Sequence, residues 1–222
     1  MIIRDQFIKK ILDVGTGVGN FVFLLTGLLD NYDEIIGIDT SLRAIEMAKT
    51  CFEEKDYVNF KQMDGNHIDY PDLYFDAVCL SNSLHHLDGA QSIFLEMKRV
   101  LKPNGIILVH EMISAPLTIK QISHQMIHHF SAEIDRSLGI THNETYTKKE
   151  IEQLLNSYSS CELEDAWILE DNEKRVFTEK EINEIIKTAD QMVSRAKDQA
   201  QMTHFKEKAE MIKIIFKRMV LI

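Results

Sequence analysis

Residues 11–20 read ILDVGTGVGN, an acid followed by three glycines at alternate positions: Asp13, Gly15, Gly17 and Gly19. Glycine accepts left-handed backbone and lets the chain come close to a bulky ligand. A carboxylate beside such a turn can meet a cationic group. A dinucleotide-binding turn needs G-x-G-x-x-G. Here the third glycine comes one residue early, and Asn20 stands where it should be. The acid within the strand end and the alternate glycines therefore count against a nicotinamide cofactor and for another nucleotide-like ligand.

Groups able to move a proton are concentrated further along. His85 and His86 lie in SNSLHHL, and His110 and Glu111 close the apolar run GIILVHEM. His124, His128 and His129 lie in SHQMIHH. His124 and His128 are four apart and share a face if the segment is helical. That spacing can bind a metal, but H-E-x-x-H is absent. The reading is a polar helix face or a lid lining an acceptor pocket, with no metal. The three cysteines, Cys51, Cys79 and Cys161, form no CxxC pair, which reads as reduced thiols in a cytoplasmic protein.

The elements that must carry these groups alternate between two periods. Short apolar runs at 9–14, 34–39, 57–63, 75–81 and 105–112 have strand length and composition. Helical patterns at 18–29, 41–54 and 90–101 lie between most of them, the second capped by Ser41. The third stops at the breaker Lys102-Pro103-Asn104-Gly105. This order predicts an α/β fold with a doubly wound, mainly parallel sheet. Ligands then gather at the carboxyl ends of the strands. Beyond 112 the pattern predicts a helix over 115–138 and another over 147–156, opened by T-x-x-E. A sixth strand is expected at 161–169. One long helix or two follow over about 178–218, with 212–222 read as helix rather than a seventh strand.

Five stretches, taken together, resemble class I S-adenosylmethionine-dependent methyltransferases: ILDVGTGVGNF, IIGIDTS, KQMDGNHI, FDAVCLSNSLHHL and LKPNGIILV, in that order over residues 10–112. The resemblance implies a Rossmann-like methyltransferase fold, with S-adenosyl-L-methionine as cofactor. It sets Asp13, Gly15, Thr16, Gly17 and Gly19 near the methionine moiety and Asp39, with Thr40, at the ribose. Asp64, Gly65 and Asn66 fall at the adenine edge, and Ser81 and Asn82 beneath the sulfonium. His86, His110 and Glu111 are the candidates for a base. SNSLHH is not the Asn/Asp-Pro-Pro-aromatic signature that resembles amino-methylating enzymes of DNA, glutamine or some RNA bases.

Composition narrows the acceptor. Apolar residues make up 45% and charged residues 27%, and the net charge is −10. An acidic field repels polynucleotides, and no apolar run is long enough to span a bilayer. The expectation is a cytoplasmic enzyme acting on a small molecule, with no nucleic acid and no membrane, and a possible homodimer. The alternative is a non-catalytic cofactor-binding subunit or sensor of the same fold. The domain reading is a methyltransferase domain over 1–170, with 115–158 as a lid or acceptor-pocket insertion. A helical C-terminal extension over 171–222 packs on the same domain.

Overall fold

The structure, a computed structural model, describes residues 8–114, 119–158 and 178–219. Strand β1 (Lys10–Val14) leads into helix α1 (Asn20–Leu28), and β2 (Glu34–Asp39) into α2 (Leu42–Cys51). Then come β3 (Val58–Gln62), β4 (Phe75–Ser81), a 3-10 turn at Leu84–His86, α3 (Ala90–Val100) and β5 (Leu101–His110). The strands form one sheet in the order β3-β2-β1-β4-β5, every pairing parallel. Their carboxyl ends therefore share one edge of the sheet, and the chain reverses its direction of travel between β1 and β4. That is where a doubly wound sheet opens a crevice for a ligand.

Burial explains the strand composition. Leu12, Ile35, Ile36, Ile38, Phe75 and Val78 are sealed from solvent on both faces of the sheet, as covered parallel strands require. On one face Phe21, Val22 and Leu25 of α1 pack with Ile45 and Ala48 of α2, Phe52 and Phe60. Ser41 caps α2 as its sequence predicts, its Oγ accepting from Ala44 N at 3.3 Å.

The start of β5 differs from the sequence reading, which places the strand at 105–112. Helix α3 ends at Val100 and β5 begins at once. The breaker residues become an irregularity within the strand: Phe75 pairs with Leu101, and pairing resumes at Ala77 with Ile106. Lys102 Nζ reaches Asp76 Oδ1 at 2.6 Å, and Asn104 takes a positive φ of 62°. A Cβ on Gly105 would sit 2.8 Å from the Asp76 carbonyl and 2.7 Å from Leu101. Only glycine lets the strand rejoin its neighbour there.

The chain divides into two compact units. The first is the sheet with its flanking helices up to Met112, together with the chain from Gln153. The second contains Ile113–Glu152 and the C-terminal helices. Its elements are α4 (Ile119–Ser137), the start of α5 (Lys148–Tyr158), α6 (Glu179–Val193) and α7 (Gln199–Met219). Phe130 and Ile134 of α4 share a core with Ile182 and Ala189 of α6 and with Phe205, Ala209 and Ile212 of α7. Thr178 and Glu181 form the capping box that opens α6, and Thr147 with Glu150 make the same reciprocal bonds at α5. The expected sixth strand at 161–169 lies outside the described residues, as do 115–118. Among the described residues no helix is long and apolar enough to cross a membrane.

Candidate active site

The glycine turn after β1 is held from three sides. Thr16 N donates to Ile38 O at 2.9 Å, Gly17 N donates to Asp39 Oδ2 at 2.9 Å, and the Ser83 hydroxyl lies 2.9 Å from Gly15 O. All three glycines have positive φ, from 55° to 87°. Their surroundings differ. A Cβ on Gly15 would lie 2.5 Å from Ser83 Oγ, and one on Gly19 would lie 2.9 Å from the Phe52 ring. A Cβ on Gly17 would meet nothing within 4 Å. The sequence reading has Gly15 and Gly17 both clearing room for a ligand. The structure corrects this for Gly15, whose missing side chain makes room for Ser83. Gly17 faces open space.

Asp13 is 1% exposed, and neither carboxylate oxygen has a hydrogen-bond partner; the Thr16 hydroxyl is likewise buried without one. Buried polar atoms are normally paired, so these three are the atoms of the turn best suited to a polar ligand or an ordered water. Burial pushes the Asp13 carboxyl up to about 7. The Thr16 hydroxyl, outside hydrogen-bonding geometry, opposes the rise, and the Asp39 charge adds to it.

Asp39, at the tip of β2, does structural work as well. Its Oδ2 takes Gly17 N and its Oδ1 takes Ser41 N at 2.8 Å. Each carboxylate oxygen keeps a second lone pair. Thr40 is exposed, its carbonyl accepting from Gln62 Nε2 at 3.0 Å. Past β3, Asp64 Oδ1 closes a turn onto Asn66 N and Nδ2, both at 2.9 Å, and both residues are exposed. Gly65 is buried between them, its missing Cβ leaving room for Val14 and Ile93.

At the end of β4, Ser81 Oγ lies 3.0 Å from His110 Nδ1, and Asn82, at φ 47°, donates its N–H to His110 O at 2.8 Å. The His110 ring stacks on Phe21, centroids 5.7 Å apart and planes 11° apart. His110 is half-buried, and among the described residues its Nε2 makes no hydrogen bond. His86 is exposed on the 3-10 turn, its ring 4.3 Å from that of His85. Glu111 is occupied: Oε1 takes His85 Nδ1 at 2.8 Å and Met112 N at 3.0 Å, and Oε2 takes Leu84 N at 2.9 Å. It braces the turn after β4.

Sequence reasoning missed Ser83 and Phe21. A serine beside Ser81 and Asn82 carries no pattern that says it will fill the space above Gly15. Phe21 reads as one more apolar helix residue. The other histidines singled out from the sequence, His124, His128 and His129, lie in the second unit. His129 Nε2 is 2.9 Å from Thr145 Oγ1, and His128 meets His142; the side chain of His124 lies outside the described residues.

Residues 12–109, a little under half the chain, match the methyltransferase domain family. Over 112 residues the chain is 30% identical to phosphoethanolamine N-methyltransferase 3 of Arabidopsis thaliana, covering 50% of this chain and 22% of that protein. Over 105 residues it is 30% identical to a demethylmenaquinone methyltransferase of Geobacillus sp., covering 46% of this chain and 45% of that one. The fold is similar to the crystal structure of the YcgJ protein from Bacillus subtilis, with a TM-score of 0.55 and 22% identity over 88% of this chain and 81% of that one. The similarity to methyltransferases thus lies within this domain, and the fold is shared with a solved structure over most of the chain. The chain spans less than half the length of the curated relatives it matches.

Proposed function

We propose that the chain transfers the methyl group of S-adenosyl-L-methionine to a small-molecule acceptor. The observation that carries this reading is the turn itself: the unpaired Asp13 carboxylate and Thr16 hydroxyl lie buried beside Gly17, the one glycine of the three that faces open space. The cofactor brings an ammonium, a ribose diol, an adenine and a methyl group already activated on a sulfonium. Asp13 and Thr16 answer the polar methionine end, directly or through water. The free lone pairs of Asp39 answer the diol, and Asp64 with the Gly65 and Asn66 amides answers the adenine edge. Ser81 and Asn82 lie at the end of β4, next to the turn, where the sulfonium end belongs.

Methyl transfer from such a cofactor is an in-line displacement, and much of its acceleration comes from alignment. A base is needed only for a weak nucleophile such as a hydroxyl. His110 suits that task best, because its ring is fixed by Phe21 and Ser81 while Nε2 remains available. His86 is the second candidate. Glu111 is less suited, since both its oxygens are taken. The two matched relatives are named for phosphoethanolamine and demethylmenaquinone, which supports a small acceptor for this chain. The acidic charge supports it too.

Calorimetric titration with S-adenosylmethionine, S-adenosylhomocysteine and NAD tests the site. Micromolar binding of the first two and none of NAD is expected. Binding of NAD alone, or of none, overturns the reading. Methyl transfer to a panel of small acceptors then separates an enzyme from a cofactor-binding sensor.

A further inference from the structure

The second unit holds a set of side chains that methyl transfer does not use. His142 lies in the connection between Gly139, which leaves α4 at φ 80°, and α5. That connection is fixed in place. Arg136 Nη1 donates to His142 O at 2.7 Å, and Thr145 N donates to His129 Nε2 at 3.2 Å. The His142 ring is buried, and its Nδ1 lies 2.7 Å from Asp135 Oδ2. Asp135 is held in turn by Arg195 Nη2, 2.5 Å from Oδ1. A carboxylate only accepts, so Nδ1 of His142 carries the hydrogen and, in the neutral ring, Nε2 presents a lone pair.

That lone pair faces a second imidazole. His128 Nε2, from α4, lies 3.3 Å from His142 Nε2, with the rings 66° apart. The separation is long for a hydrogen bond, whose usual span is about 2.7–3.2 Å. It matches the edge of a tetrahedral metal site. Two imidazole nitrogens each at about 2.0–2.1 Å from zinc lie roughly 3.3–3.4 Å apart. The carboxylate behind His142 is the partner that orients metal-bound histidines.

We propose that His128 and His142 form the protein side of a transition-metal site of the zinc class, oriented by Asp135 and Arg195. Imidazole ligands select zinc, nickel, copper or iron over magnesium and calcium. The pair supplies two corners of the coordination shell, completed by solvent or by a further protein ligand. The sequence sets His128 beside His124 by helical spacing. The fold gives it a partner fourteen residues downstream.

The test uses the whole chain, stripped with a chelator and exposed to zinc chloride alone. Metal content and competition with a chromophoric chelator give stoichiometry and affinity. The expected result is one equivalent per chain. Binding should be at least tenfold weaker in His128→Ala and His142→Ala, and about 10–100-fold weaker in Asp135→Asn, the usual effect of losing an orienting carboxylate. Cobalt(II) added to the unmodified chain should give the intense visible bands of a tetrahedral site, a readout that needs no variant to fold. Less than one equivalent at micromolar free zinc, no cobalt bands, or unchanged affinity in folded His128→Ala and His142→Ala overturns the proposal; the two rings would then share only a proton.

Discussion

His85 Nδ1 and Glu111 Oε1 meet at 2.8 Å with both side chains almost completely sealed, 3% and 2% exposed. The pair ties the turn after β4 to the end of β5, and Glu111 also takes the N–H groups of Leu84 and Met112. Removing one member of a buried pair is strongly destabilising, at about 3–5 kcal/mol. Glu111→Ala should lose roughly that much in urea unfolding. Glu111→Gln keeps the shape and should retain measurable methyl transfer. Loss of all turnover in a Glu111→Gln protein of undiminished stability and cofactor affinity would instead make Glu111 the base.

The glycines of the turn should separate by experiment. Gly15→Ala meets Ser83 and a left-handed backbone at once. It should destabilise the fold by about 2–4 kcal/mol, from strain and overpacking together. Ser83→Gly in the same chain should return part of that loss. Gly17→Val adds its Cβ where no atom lies within 4 Å. It should cost the fold only the backbone strain, about 1–2 kcal/mol, while blocking S-adenosylmethionine. Unchanged affinity in a folded Gly17→Val chain removes the turn from the site.

Asp39 holds the loop and, in the proposed site, the ribose. Asp39→Ala deprives Gly17 N and Ser41 N of their acceptor. It should weaken S-adenosylmethionine binding by about 1–3 kcal/mol, the scale of lost charge-assisted bonds. Asp39→Asn keeps one acceptor oxygen and should fall between. Calorimetry on the three proteins gives the order directly, and wild-type affinity in Asp39→Ala would show that the ribose contact is misassigned.

Asp13 should make ligand-free stability depend on pH with an unusual sign. Its carboxyl is raised from 3.8 to about 7 on folding, so between those values the folded chain holds a proton that the unfolded chain has lost. Its contribution is neutral below about pH 4, becomes unfavourable as pH rises through the window, and levels off above 7. The full span corresponds to about 4 kcal/mol at 1.4 kcal/mol per pH unit, an order-of-magnitude figure. Urea midpoints at pH 5 and 7.5 should fall by less in Asp13→Asn than in the native chain. A ligand ammonium near Asp13 favours its charged form, so binding near pH 6.5 should release a proton. Titration in buffers of different ionisation enthalpy reads that release, and its absence places the cation elsewhere.

Much of the first unit was legible because its signals are local. Alternation between strand-length apolar runs and 3.6-residue periodicity set the order of elements, and β2 and β4 fall where that pattern put them. Ser41 and Thr147 marked helix starts because a capping oxygen needs only the next three residues. The boundary at Leu101 was misread because Lys102-Pro103-Asn104-Gly105 looks like a break until Asp76, on another strand, supplies the anchor that keeps it in the sheet.

By itself the sequence determined the α/β class, the line of residues at the carboxyl ends of the strands and the resemblance to methyltransferases over residues 10–112, since each depends on residue types at short spacing. Only the tertiary structure decided what each residue does there. It gave Glu111 a bracing set of hydrogen bonds, set Ser83 against Gly15 and left Gly17 facing open space. It also joined His128 to His142 and backed the pair with Asp135. Those roles rest on contacts between residues distant along the chain. A contact of that kind exists only once parallel strands and packed helices have fixed which side chains share a volume.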